Sequence, residues 1–314
     1  MPTSEKIALL IFLLVVAAIY LLEAAVLTLF AVARLKHKRR TGILLKKPVL
    51  VLHFLALLGI ICFLYGHFVE LYRIQVTTIP IRTNKLSQTT FRIVHISDLH
   101  CDRKMRNEKR IVELINQLQP DVIVFTGDTL NTAAALPLFK NTMRNLKASL
   151  AKLAVRGNFE PRSRSDLDLY SGTGFELLNA ETVPITKNGQ TIYISGLSCD
   201  NPSAFKALLR PVPKENFSVF LYHYSDLVES VGDLNLDLYL CGHTHGGQVA
   251  LPLYGAVVTL SEFGKKYEAG MYTVGGTILY VNRGIGIEPL PLPQIRFCAR
   301  PEITVFDIIP EAGN

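Results

Sequence analysis

The sequence predicts an α/β domain preceded by two apolar helices that span a membrane. Residues 7–33 and 48–69 are each apolar for longer than the roughly 20 residues that a helix needs to cross a bilayer. From Phe91 onward, short apolar strands alternate with an amphipathic helical stretch, which is the opening of a βαβ unit. Polar residues that can bind divalent cations follow several of these strands.

Residues 1–70 are predicted to form a membrane anchor with two transmembrane helices and a basic loop between them. The first apolar run exceeds the roughly 7–15 residues of a signal-peptide core, and no small-x-small cleavage site follows it. Glu23 interrupts this run. A lone carboxylate facing lipid costs about 2.5–3.5 kcal/mol at mid-membrane, so we expect Glu23 near a helix end or facing the second helix.

The net charge of +7 belongs to the anchor and not to the rest of the chain. Residues 1–85 hold eleven Lys and Arg against three Glu, whereas the remainder holds 22 basic and 23 acidic residues. A clustered positive footprint for nucleic acid is therefore not expected. The basic surplus lies in the connection 34–47, which the positive-inside rule predicts to be cytoplasmic, with both chain ends on the far side. The same cluster would attract anionic lipid headgroups.

The soluble part begins with residues 71–90, which are polar and β-prone and are predicted to be a linker that begins a sheet edge. The main domain is expected over residues 91–314. It opens with a strand in FRIVHIS, a helix over 104–118 and a strand in DVIVFTGD. Further strands are predicted at residues 191–196, 217–222, 236–240, 271–281 and 302–308.

Seven residues of the main domain form a candidate metal site. They follow the ends of predicted strands, and in open α/β sheets the loops at these strand ends converge on one site. Four of the five His beyond residue 90 are among the seven. The seven are Asp98, His100, Asp128, Asn158, His223, His243 and His245. Asp128 is the candidate for a carboxylate shared by two cations. Mixed O and N ligands suit Mn²⁺, with Fe²⁺ or Zn²⁺ as alternatives. His95, on the strand itself, is predicted to be a packed core residue.

The segments DLH, TGD, RGN, LYH and GHTHGG, in this order, resemble the calcineurin-like metallophosphoesterase superfamily over roughly residues 91–310. The resemblance implies a four-layer sandwich, in which two mixed β-sheets pack together and helices flank them. It also implies two divalent metals, with attack by a hydroxide that bridges them and with no side chain as the nucleophile. The first metal would take Asp98, His100, Asp128 and His245, and the second would take Asp128, Asn158, His223 and His243.

Phe159 departs from the pattern of the superfamily, which usually reads Gly-Asn-His followed by Asp or Glu. The usual His is thought to protonate the leaving oxygen or to steady the phosphate. General acids contribute about 10²- to 10⁴-fold, most for poor leaving groups. A phosphate leaving group, with a second pKa of about 6, departs without such help, so Phe159 favours a phosphoanhydride substrate. The alternatives are that another side chain supplies the proton, or that Phe159 stacks on a base or packs against an acyl chain.

Within the superfamily, the chain resembles the membrane-anchored UDP-2,3-diacylglucosamine pyrophosphatases of lipid A biosynthesis, of the chlamydial type. This resemblance implies cleavage to UMP and 2,3-diacylglucosamine 1-phosphate, with a nucleotide-linked or other phosphorylated lipid and the bilayer as partners. A membrane-associated phosphodiesterase, which shares the Asn-Arg-Gly segment of residues 281–286, is the alternative. A metal-binding scaffold without turnover is the third hypothesis.

The location follows from the same resemblance, which implies an integral protein of the bacterial inner membrane. The side of the catalytic domain stays open, because UDP-linked lipid precursors are made on the cytoplasmic face whereas the positive loop places the domain outside. Helices lying in the interface would remove this conflict. Arg156 and Arg283 are candidate substrate-binding residues because Arg grips phosphate bidentately, with surface or fold-stabilising salt bridges as the alternative.

Overall fold

The structure of the chain is a computed structural model that describes residues 1–36, 44, 46–160, 166–232, 234–289 and 293–311. Most of the basic connection between the apolar helices lies outside the described residues, and its cytoplasmic side stays a prediction.

Two antiparallel helices form the N-terminal region, α1 (Thr3–Leu35) and α2 (Lys47–Phe68). Both are long and apolar enough to cross a membrane. Glu23 faces α2, where its carboxylate lies 2.8 Å from Nδ1 of His53. This is the structural pairing expected for a carboxylate in an apolar helix, because a partner lowers the cost of placing it there.

The segment 71–90 differs from the predicted linker, because it contains the nine-residue strand β1 (Gln75–Thr83). This strand pairs in parallel with the last strand of the chain over its whole length, from Gln75 opposite Glu302 to Thr83 opposite Pro310. The sheet of the main domain therefore begins at Gln75. The predicted sheet edge is therefore present in this segment, and the strand occupies more of it than the linker prediction implied, because its strand partner lies more than 200 positions away in the sequence.

The first six-stranded sheet has the order β1-β14-β2-β3-β4-β5. Its remaining strands are β2 (Phe91–Ile96), β3 (Val122–Phe125), β4 (Ala151–Ala154), β5 (Glu176–Leu177) and β14 (Glu302–Pro310). Strands β2 to β5 are mutually parallel, whereas β14 is antiparallel to β2, so the sheet is mixed.

The second six-stranded sheet has the order β12-β13-β9-β8-β7-β6 and is also mixed. Its strands are β6 (Glu181–Lys187), β7 (Gln190–Gly196), β8 (Phe217–Leu221), β9 (Leu238–Cys241), β12 (Gly270–Val274) and β13 (Thr277–Val281). The single strand predicted over 271–281 is thus a hairpin. Its turn is Gly275-Gly276, both with positive φ, which is a sequence signal typical of two-residue hairpin loops. A small hairpin pairs β10 (Ala250–Leu251) with β11 (Gly255–Ala256).

Four layers result from the packing of these sheets. Between the sheets lies a buried core in which residues such as Ile93 and Val124 share one cluster with Val219 and Leu240. Helices α3 (Glu108–Gln117) and α4 (Leu136–Asn145) cover the outer face of the first sheet, and α5 (Phe205–Leu209) covers the second. Short 3₁₀ helices lie at Glu70–Tyr72, Ala133–Ala135, Pro202–Ala204, Val228–Ser230, His245–Gly247 and Gly264–Tyr267. The predicted fold class is confirmed.

Candidate metal centre

The seven predicted ligands lie where five strands end. Asp98 and His100 follow β2, Asp128 follows β3 and Asn158 follows β4. These three strands are adjacent and parallel, so the loops after them lie side by side. In the second sheet, the parallel neighbours β8 and β9 carry the remaining three ligands after their carboxyl ends. Packing one sheet on the other brings both sets of loops to the same edge of the sandwich.

The first group of ligand atoms comes from Asp98, His100 and His245, and all of them lie within 4.8 Å of one another. Nε2 of His245 is 3.5 Å from Oδ1 of Asp98. The two imidazole rings have their centroids 5.0 Å apart. All three residues are buried, so the group forms a compact set of one oxygen and two nitrogen donors.

The second group comes from Asp128, His223 and His243, and it meets the same 4.8 Å limit. Nε2 of His223 lies 3.3 Å from Oδ2 of Asp128 and 3.1 Å from Oδ1 of Asn158. Asn158 therefore adds a neutral oxygen donor to this group. The structure thus brings all seven predicted residues together, and in the two groups that the family resemblance implies.

Asp128 lies between the two groups. Its Oδ1 accepts a hydrogen bond of 3.0 Å from the backbone N–H of Phe159. Its Oδ2 faces Nε2 of His223 on one side and Nε2 of His100, at 3.6 Å, on the other. One oxygen is thus held by the backbone, while the other is directed at both groups, as a bridging carboxylate requires.

Four buried ligand atoms have no hydrogen-bond partner among the described residues: Nε2 of His100, Oδ2 of Asp128, Nδ1 of His243 and Nε2 of His245. Leaving polar atoms buried without partners is costly, and such atoms in a native structure point to an ion or a water. These four are the atoms that the two groups would offer to cations. The donor set therefore fits two divalent metal ions.

Two histidines have a tautomer fixed by their surroundings. Nδ1 of His223 lies 2.7 Å from the carbonyl oxygen of Thr126, which can only accept, so the imidazole donates there, and the neutral form of the ring has its lone pair on Nε2. Nδ1 of His100 makes the equivalent contact, 2.9 Å, with Oδ1 of Asn131. Such partners orient histidine ligands toward metals.

His245 has a different partner, because its Nδ1 lies 2.9 Å from the guanidinium of the buried Arg296. A guanidinium can only donate. Nδ1 must accept in this contact, which leaves the proton of the neutral imidazole on Nε2. Binding a cation through Nε2 of His245 therefore requires this contact to rearrange.

The buried charged groups at the site shift one another's pKa values. Burial opposes the charge of His223, but the carboxylates of Asp128 and Asp98 and the carbonyl oxygen of Thr126 together outweigh it and raise the pKa of His223 to about 10. For Asp128 itself, burial likewise opposes ionisation, and the charge of His223 keeps the pKa below its ordinary value. Burial raises the pKa of Asp98 to about 7 and lowers that of His243 to about 3. The site therefore holds protons that cations would displace.

Backbone strain is concentrated at the candidate ligands. Positive φ angles, which side-chain-bearing residues rarely adopt, occur at Asp98, His100, Asp128, His243 and His245. Such angles cost about 1–3 kcal/mol each and persist where the surroundings enforce them. Gly157 shows how tightly the loops pack, because a Cβ there would lie 2.3 Å from Oδ1 of Asp128.

The other residues that the sequence singled out lie around the seven ligands or in the core beside them. The ring of Phe159 packs edge-on against His100, with centroids 4.8 Å apart. Arg283 pairs with Glu302 at 3.1 Å, which favours a fold-stabilising role over the predicted phosphate contact. Arg156 is half-buried in the loop before Asn158, and its substrate contact stays a prediction. His95 is fully buried and contacts Thr126, which confirms it as a core residue.

Glu288 is the residue that the sequence analysis missed. Its carboxylate forms a third group with His100 and Asp128, within 4.8 Å, and lies 3.8 Å from Nε2 of His245. Burial, followed by the charges of Asp128 and Asp98, raises its pKa to about 8. Glu288 lies in the loop after β13 without following a strand end directly, so the pattern that identified the other ligands does not apply to it.

Residues 91–247 match the family model of the calcineurin-like phosphoesterases. The chain belongs to this family. An uncharacterised metallophosphoesterase of Bacillus subtilis, YkuE, is 34% identical to it over 78% of this chain and 88% of the relative. The family binds two divalent metals, and the predicted metal-dependent hydrolase is confirmed at this level.

Two further relatives carry functional names. The phosphodiesterase YaeI of Escherichia coli is 29% identical, over 70% of this chain and 82% of the relative. The UDP-2,3-diacylglucosamine pyrophosphatase LpxG of Chlamydia trachomatis is 25% identical, over 68% of this chain and 82% of the relative. The family thus contains relatives named for two different phosphate bonds.

We predict that Asp128→Asn lowers the metal content of the purified full-length chain from about two ions to one or fewer, because an amide cannot bridge two cations with a charged oxygen. Elemental analysis after dialysis measures this. Asp200→Asn, at an exposed carboxylate, is the matched control and should keep the full content. Two ions retained in Asp128→Asn would show that Asp128 is not the bridge.

We also predict that cation binding releases protons at neutral pH, because His223, with a pKa near 10, carries a proton there that coordination must displace. The apparent affinity for Mn²⁺ should then rise as the pH increases from 6 toward 9. Calorimetric titration in buffers of different ionisation enthalpy counts the protons released. A binding enthalpy that is independent of the buffer would contradict the protonated state.

Proposed function

We propose that this protein is a membrane-anchored phosphohydrolase with two metal ions, and that it cleaves the phosphoanhydride of a lipid-linked substrate. The observation that carries the chemistry is the pair of ligand groups that share Asp128. Their oxygen and imidazole donors suit Mn²⁺, with Fe²⁺ or Zn²⁺ as alternatives.

Two divalent cations at such a site polarise phosphoryl oxygens and supply a water-derived nucleophile at neutral pH. The chain's own residues have positioning roles. Asp128 holds the two groups at a fixed separation, and the backbone N–H of Phe159 fixes its carboxylate. Thr126 and Asn131 orient the imidazoles of His223 and His100. The burial of these ligands excludes bulk water, which strengthens the electrostatic interactions within the site.

The choice of a phosphoanhydride rests on Phe159. Its ring packs against His100, at the sequence position where the family usually has a histidine. An apolar ring cannot protonate an alkoxide leaving group, whereas a phosphate leaves as an anion without that help. Glu288, with a carboxyl pKa near 8, is the nearby group that would serve the alternative, in which another side chain supplies the proton.

The lipid-linked substrate is supported by the anchor. We propose that α1 and α2 span the membrane, since both have the required length and apolarity. The anchor is joined firmly to the main domain: Glu5 accepts a hydrogen bond of 2.7 Å from the hydroxyl of Thr259, and His67 contacts the carbonyl oxygen of Gln294 at 2.8 Å. These contacts hold the metal centre near the bilayer surface. The name of the relative LpxG supports a UDP-linked diacylglucosamine as the first substrate to test.

A phosphodiester is the second candidate. The relative YaeI is named a phosphodiesterase, and it is slightly more similar to this chain than LpxG is. This candidate also agrees with a catalytic domain outside the cytoplasm, where UDP-linked lipid precursors are not made.

We predict that the full-length chain, loaded with Mn²⁺, cleaves UDP-2,3-diacylglucosamine faster than bis(p-nitrophenyl) phosphate, because the anhydride needs no proton donor. Phosphorus NMR of the products identifies the bond that is cut. Rapid diester cleavage with an intact pyrophosphate would select the phosphodiesterase. Bound metal with no hydrolysis of either compound would select a scaffold without turnover.

We predict that Phe159→His increases kcat/KM for an alkyl phosphodiester by about tenfold or more, since a general acid helps most when the leaving group is poor. The rate for the anhydride should change little. Phe159→Leu, which removes the ring without adding a donor, is the control. Equal gains in both variants would mean that the ring acts by its bulk, and the leaving-group argument would then be wrong.

A further inference from the structure

A cavity of about 600 Å³ lies where the anchor meets the main domain, and we call it the junction cavity. Leu71 and Tyr72, just beyond the end of α2, form one wall. Arg103, Lys104 and Met105, in the loop after β2, also line it. The volume is within the range of about 300–1,000 Å³ that small-molecule sites occupy.

The lining of the junction cavity combines positive charge with apolar surface. Arg103 and Lys104 are exposed, and neither has a hydrogen bond or an ion pair among the residues that the structure describes. Leu71, Tyr72 and Met105 supply apolar side chains to the same lining. The carboxylate of Asp102, also in the lining, is paired with Arg106. Neighbouring cations that lack protein partners beside apolar side chains match a ligand with a phosphate at one end and hydrocarbon at the other.

The junction cavity is adjacent to the metal centre. Ile287, in its wall, directly precedes Glu288. The side-chain amide of Asn131 donates to the carbonyl oxygen of Ile287 at 3.1 Å, while its Oδ1 contacts Nδ1 of His100 at 2.9 Å. A single side chain therefore separates the wall of the cavity from a candidate metal ligand.

The position of the junction cavity indicates which phosphate it meets. It lies at the end of α2, where a spanning helix leaves the bilayer, and Tyr72 is a residue type enriched at that interface. His67 in the last turn of α2 contacts the carbonyl oxygen of Gln294, and the carboxylate of Glu70 accepts from the N–H of Ala299 at 2.8 Å. These bonds fix the cavity at the end of α2, which is the level of the lipid headgroups for a helix that spans the membrane as proposed above.

We infer that the junction cavity binds the phosphate-bearing headgroup of a lipid from the leaflet around the end of α2. The inference rests on the proposed function, because it requires α2 to span a membrane. Arg103 and Lys104 contact the phosphate, while Leu71, Tyr72 and Met105 contact the glycerol and the first acyl carbons.

The test uses the absence of tryptophan from the chain. Tyr72→Trp in the otherwise intact protein places a single fluorophore in the cavity wall. The protein is embedded in phosphatidylcholine nanodiscs that contain a minor fraction of either brominated phosphatidylglycerol or brominated phosphatidylcholine. We expect stronger quenching by the anionic lipid. Adding Arg103→Ala and Lys104→Ala should raise the fraction of brominated phosphatidylglycerol needed for half-maximal quenching by roughly tenfold or more.

Two controls make the result specific. Arg210→Ala with Lys214→Ala removes the same charge from exposed positions and should leave the preference unchanged. Arg103→Lys with Lys104→Arg keeps the charge and should retain the preference for the anionic lipid. The inference is overturned if both lipids quench equally, if the preference survives in the double Ala variant, or if millimolar inorganic phosphate abolishes it.

The outcome is separable from that of the proposed function, because the quenching is measured without metal, substrate or turnover. A chain that prefers phosphatidylglycerol but hydrolyses no lipid anhydride would contradict the proposed substrate and leave the cavity assignment standing. A chain that hydrolyses the anhydride but shows no preference for phosphatidylglycerol would contradict the cavity assignment and leave the proposed substrate standing.

Discussion

The position of the Asp128 carboxylate is the constraint on which the rest of the site depends. The backbone N–H of Phe159 holds one oxygen, so the other is directed between His100 and His223. The main chain of Asp128 also contributes, because its carbonyl oxygen accepts a hydrogen bond of 3.0 Å from the N–H of His100. One residue thus fixes the separation of the two ligand groups and the register of two loops. A small displacement would disrupt both groups at once.

The two sheets are held together at this edge by polar contacts as well as by the apolar core. Nδ1 of His223, from the second sheet, donates to the carbonyl oxygen of Thr126 in the first. The N–H of His243 donates to both oxygens of Asp98, at 3.2 and 3.1 Å. Bonds to a charged acceptor contribute about 1.5–3 kcal/mol, which is comparable to the cost of one positive φ angle. The positive φ of His243 is therefore offset by the contact that its own N–H makes across the sheets.

Most of the architecture was predictable because it depends on local patterns. Apolar runs identified the strands and the long helices, and polar residues directly after strands identified seven side chains that the structure brings together. The β-prone composition of residues 71–90 indicated the start of a sheet edge, whereas the pairing of β1 with β14 was not predictable, because the partner strand is distant in the sequence. Glu288 was missed because it reaches the site through a loop whose path depends on the buried Arg296. The guanidinium of Arg296 donates to the carbonyl oxygens of Gly286 and Ala299 and so holds this loop. No periodicity in the sequence encodes such a path.

The geometry of the anchor limits where the substrate can be. The main domain contacts α1 at Glu5, near its first turn, and α2 at His67, in its last turn. Both contacts lie at the ends opposite to the connection between the helices, so the domain and the basic connection would lie on opposite sides of a bilayer that the helices span. If the connection is cytoplasmic, as its positive charge predicts, the metal centre faces the other compartment. A UDP-linked precursor made in the cytoplasm would then be out of reach, whereas a phosphate bond in a lipid of the outer leaflet would be accessible. The side of the basic connection therefore decides between the two substrate candidates before any turnover is measured.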